Sequence, residues 1–172
     1  MKYTSKIFVL SISLLGVLAF GLLLPTSTVQ AASGVESSAA QALQDNTVLE
    51  NMLVREKLAL SNQQERLTLS HNVADETQIY INNQKSAGKD TSSLESALNE
   101  FNQSISQAEV ANNTAASILA APAGFDASGQ VVEVVTARQT IRSAGQSLQQ
   151  AHVTLTQATL ELRLVIQTYR GE

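Results

Sequence analysis

The sequence contains no cysteine and no tryptophan, and only two of its 172 residues are proline. Without cysteine there is no thioether-lipidated anchor, no disulfide framework and no thiolate metal site. Aromatic residues make up only 4% of the chain. A core must therefore be built from Leu, Ile, Val and Ala. The β-branched and aromatic runs that mark strands are missing, so these aliphatics point to helices. Basic residues are absent from Asp90 to Ala137, a stretch with six acids. Such a surface repels nucleic acid and anionic lipid, and no nucleic-acid partner is expected.

The first residues have the pattern of a secretory signal. Lys2 and Lys6 form a positive start, Ile7 to Leu24 is almost wholly apolar, and Pro25 breaks it. Val29 and Ala31 stand three and one residues before a cut expected between Ala31 and Ala32. The rival reading is an uncleaved anchor, because the apolar run approaches the length of a membrane span. Either reading exports the rest, to the bacterial periplasm, cell surface or exterior. Only the anchor would tie the protein to a membrane. The part after the cut carries nine Lys and Arg (the chain's 11 less Lys2 and Lys6) against all 15 acids, a formal charge of −6.

Beyond residue 31, residues 32–46 are expected to be a helical extension or a flexible segment, and 47–172 a helical bundle with helices over about 47–84, 92–121 and 132–169. The third helix shows the clearest pattern. Val134, Ala137, Ile141, Ala144, Leu148, Ala151, Leu155, Ala158, Leu162, Val165 and Tyr169 recur in steps of three and four. Large and small residues alternate along this coiled-coil period, and the alanines permit close helix approach. The second helix repeats the pattern through Leu94, Leu98, Phe101, Ile105, Ala108, Asn112, Ala115 and Leu119. Asn112 either fixes register inside the seam or meets water at its edge. Pro122 must end this helix.

In the first helix Leu53, Leu60, Leu67, Ala74 and Ile81 recur every seven residues, with polar Glu56, Gln63, Ser70 and Thr77 between them. A second stripe, Val54, Leu58, Leu69, Val73 and Tyr80, lies about 100° round the helix and is expected to touch a second neighbour. Ser33–Glu36, Thr47–Glu50 and Ser92–Glu95 have the spacing of capping boxes. Gly124 and Gly129 supply turn geometry, Asp126 and Ser128 cap locally, and Phe125 plugs the end of the seam. The expected fold is all-α: an antiparallel up-down-up bundle or coiled coil of three long helices, preceded by a signal peptide.

Helix lengths then mismatch. Leu94–Leu119 spans ~38 Å and Val134–Tyr169 ~53 Å at ~1.5 Å per residue. With the connecting loop level, the last helix outruns its partner near Leu160, leaving Leu160, Leu164 and Ile166 as an outward contact patch. The first helix would overhang the other end from Val35 to Leu58. Three outcomes would cover such surfaces: a break near Asn46 or Ser61–Asn62 with fold-back, pairing with a second copy, or docking of another protein.

No catalytic constellation emerges. His71 and Asp75 share a helix face, but His152 lies ~13 Å further along the bundle, too far to complete a metal site. Asp126–Gly129 lacks most ligands of a calcium loop. Met52 and His152 are the only pair suited to haem, and the Ala-rich seam has no room for it. No nucleophile elbow or phosphate-binding loop is present. Asn102–Ser104 and Asn112–Thr114 match the glycosylation pattern. The expectation is a non-catalytic exported protein with no metal and no cofactor, working through protein contacts or self-association by its helix faces in a structural, spacer or scaffold role. The alternative is a helical carrier or chaperone for a small apolar ligand or an unfolded client.

Overall fold

The computed structural model describes residues 36–171, with side chains from Leu43 onward. The expected signal peptide and the Ala31–Ala32 cut lie outside the described residues. Three helices account for nearly all of the described chain: α1 (Glu36–Ser86), α2 (Ser92–Ala120) and α3 (Val134–Gly171). No strand occurs among the described residues, only an isolated bridge between Phe125 and Val131. Each helix packs against the other two as a bundle. No described helix is long and apolar enough to cross a membrane.

Cross-helix partners fix the register. Between α1 and α2, His71 meets Glu109 and Lys85 meets Glu95. Between α1 and α3, Asp45 meets Arg138, Arg66 meets His152, and the rings of Tyr80 and Tyr169 meet edge-on at 6.2 Å. All eight seam residues of α2 are buried, Asn112 among them at 3% exposure, so the water-edge reading of Asn112 fails. On α3 every seam position from Ala137 to Leu162 is buried.

α1 differs from expectation in its continuity and in part of its second stripe. It runs unbroken through both predicted break points as a 51-residue helix. Its polar seam positions Gln63, Ser70 and Thr77 are buried; of the second stripe Val54, Leu58 and Leu69 stay exposed, while Val73 and Tyr80 pack against the core. Ser70 and Thr77 enter the core because each hydroxyl donates to the carbonyl four residues earlier, Arg66 and Val73, which removes the cost of an unpaired donor.

Helix ends also differ from the capping-box reading. Thr47 lies inside α1, where its hydroxyl donates to Leu43 O, and Glu50 instead accepts from the Val131 N–H. At α2 the Asp90 carboxylate takes the Ser92 N–H, and Thr91, not Ser92, bonds Glu95. At α3 Glu133 receives the N–H groups of Val135 and Thr136. α1 ends in a Schellman turn: Lys89 N donates to Gln84 O and Gly88 N to Lys85 O, with Gly88 at φ 78°.

The length mismatch disappears at the connection between α2 and α3. Residues 121–133 fold back along the first turns of α3 rather than spanning its end. Val132 N and Glu133 N both donate to Gly124 O, and Thr140 donates to Ala123 O. The surplus of α3 thus lies beside the loop, and its last turns reach the start of α2 and the end of α1. α1 is covered from about Asp45 on, since Leu49 and Leu53 pack with Leu119, Phe125 and Ile141.

Candidate functional site

The outward patch is the first candidate. Leu160 and Leu164 are exposed at 54% and 62%, with Val153 one heptad before Leu160 also half-exposed. At 100° per residue these three fall within about 40° of one another, on the side of α3 opposite Leu155 and Leu162. Glu161 and Arg163 flank them and are exposed. Ile166 does not belong with them: it is 5% exposed and sits in the core cluster with Ile81, Leu94 and Leu162. It follows Leu162 by four residues, only 40° from the seam, and the overhang that would have bared it does not exist. The patch therefore reduces to Leu160 and Leu164, extended by Val153.

A second feature depends wholly on the loop. An open groove of about 790 Å³ runs between α1 and residues 120–130, with Leu53, Val54, Pro122 and Phe125 on its apolar side and Glu50 and Lys57 on its polar side. Sequence reasoning missed it, because no spacing announces that residues 121–133 turn back on α3. A recess of about 30 Å³ lies between α2 and α3 beside Phe101 and Leu162.

The titratable groups are dispersed. The structure does not bring His71 and His152 to one site: His71 Nε2 lies 2.8 Å from Glu109 Oε1, and His152 is held by Arg66. Burial, then the field of Arg66, lowers the His152 pKa. Burial raises that of Glu56, which faces Gly145 and is partly offset by Arg55. Among the described residues no group of three His, Asp or Glu could hold a metal ion. The Asp126 carboxylate is occupied by Ser128 N, Ser128 Oγ and Gln130 N, bonds that lower its pKa and fix the turn. Met52 is exposed. Of the two glycosylation-type asparagines, Asn112 is buried and closed to a sugar.

No family model, no curated protein and no solved structure matches the chain.

Proposed function

We propose that the protein is exported by a cleaved signal peptide and works outside the cytoplasm as a non-catalytic scaffold or spacer, in the cell envelope or exterior, through protein contacts made by a helix face. The architecture that suits this work is an antiparallel up-down-up coiled-coil bundle. Its support is the order of partners: 71 with 109 and 85 with 95 between α1 and α2, but 45 with 138 and 80 with 169 between α1 and α3. The functional reading rests on one observation: Leu160 and Leu164 remain exposed side by side on α3 although the seam beneath them is filled.

Light scattering on the chain after Ala31, across a concentration range, tests the contact. The apparent mass should rise with concentration, and Leu160→Glu with Leu164→Glu should abolish the rise while leaving the melting temperature unchanged. A large fall in melting temperature in that double variant would show that both residues stabilise the fold and would overturn the reading.

A carrier role is favoured by a different feature, the groove between α1 and residues 120–130. A dye that fluoresces on apolar surfaces should then bind the folded protein strongly and be displaced by Val54→Glu.

A further inference from the structure

We propose that Arg66, His152 and Thr156 form a pH-sensitive latch between α1 and α3, closed while the His152 ring is neutral and opened when it takes a proton. Arg66 Nη1 contacts His152 Nδ1, and Arg66 Nη2 donates to Thr156 Oγ1 at 3.1 Å. A guanidinium offers only donors, so Nδ1 must present its lone pair. A proton there sets N–H against N–H and places two cations in contact.

Arg66, on α1, is the charged group that bears on the ring. At this height α2 offers Glu109, which is engaged by His71 on the other flank of α1. On α3 itself the neighbour is the uncharged Thr156. Partial burial of the ring, whose residue is still exposed, and the Arg66 field both favour the neutral form, so the latch is closed at neutral pH. The sign follows. The folded-state pKa lies below the ordinary imidazole value of about 6.5. The stabilisation is therefore intact above that value and is lost as the pH falls through it toward the folded-state pKa.

The latch sits on α1 between Leu60, which packs against one core cluster, and Leu67, which belongs to the other. The buried core divides here into two clusters: Leu67, Ala108 and Ala151 begin one, while Leu53, Ala115 and Leu148 close the other. In the gap lie Gln63 and Asn112, both nine-tenths buried or more, with Gln63 Nε2 and Asn112 Oδ1 lacking hydrogen-bond partners. Opening the latch loosens the middle of α1 from the α2–α3 pair. Glu56, further toward the loop, works in the opposite sense because its half-buried carboxyl favours the protonated form. The test therefore removes His152 alone.

Amide hydrogen exchange over residues 60–70, corrected for intrinsic rates, should lose protection several-fold between pH 7 and pH 5 in the unaltered protein. His152→Gln should show no such pH dependence. In a proton NMR titration, Arg66→Gln should raise the His152 midpoint. Identical exchange profiles with and without His152→Gln, or a midpoint indifferent to Arg66→Gln, would overturn the latch.

Discussion

Thr140, at the end of the second turn of α3, donates its hydroxyl to the carbonyl of Ala123 at 2.8 Å. This bond and the two donated to Gly124 O lay the connecting segment along α3. They explain how a 29-residue helix and a 38-residue helix pack without a bare end.

Gly124 is the residue that makes this possible, and Gly124→Ala tests it. Its φ is +85°, and an added Cβ would fall on the backbone of Ala137 and 2.7 Å from Glu133 O. Left-handed strain alone costs about 1–3 kcal/mol, and the clash adds to it because the neighbour is backbone. Urea unfolding should show a loss of at least ~2 kcal/mol. A loss below ~0.5 kcal/mol, the range of ordinary surface changes, would mean the loop does not clamp α3.

The polar layer at Gln63 and Asn112 should cost stability. A buried polar atom without a partner is worth about 1–3 kcal/mol. Gln63→Met with Asn112→Leu keeps volume and removes both orphans. Chemical denaturation should give a gain of ~1–3 kcal/mol, with the layer's hold on helix register reduced. A double variant less stable than the parent would show that both amides are satisfied in solution, by water or by each other.

Ile166 and Leu164 are two residues apart and should respond oppositely to truncation. Ile166→Ala empties a core position and should lower stability by ~2–4 kcal/mol. Leu164→Ala changes an exposed position and should stay within ~0.5 kcal/mol. Equal effects in thermal melts would contradict the burial that separates them.

Glu56 should give a stability term that improves in acid. Its folded-state pKa is raised, by burial first and against the field of Arg55. The charged form is thus disfavoured at neutral pH, and the penalty fades as the pH falls through the raised value toward 4.5. Glu56→Gln should stabilise by ~0.5 kcal/mol at pH 7, a figure kept small because solvent still screens the half-exposed carboxylate. The gain should vanish near pH 4. A gain of the same size at both pH values would rule out titration of Glu56 as its source.

Much of the core was legible in the sequence. Every seam residue assigned to α2 is buried, as are those of α3 from Ala137 to Leu162, because spacings of three and four leave one helix face apolar whatever it packs against. In α1 the spacing puts Gln63, Ser70 and Thr77 in the seam despite their polar type, and two of them are admitted to the core by hydroxyls bonded to their own helix. Of the second stripe, Val73 and Tyr80 touch the core, while Val54, Leu58 and Leu69 look like core and stay exposed.

The candidate site divides in the same way. That Leu160 and Leu164 face away from the seam follows from helical periodicity alone. That Ile166 belongs to the seam instead follows from its place four residues after Leu162, whereas the reach of Arg66 to His152, 86 residues further along, cannot be read from spacing. Periodicity assigns each residue to a face of its own helix, so the sequence alone determined an all-helical chain and its seams. Which faces meet, and how far one helix slides along another, depends on the path of residues 121–133, where Gly124 alone can meet the Ala137 backbone. That axial offset is a property of the closed tertiary structure, because it is set by bonds between residues distant in sequence: the loop carbonyls of Ala123 and Gly124 with Thr140, Val132 and Glu133, and the side-chain pairs between helices.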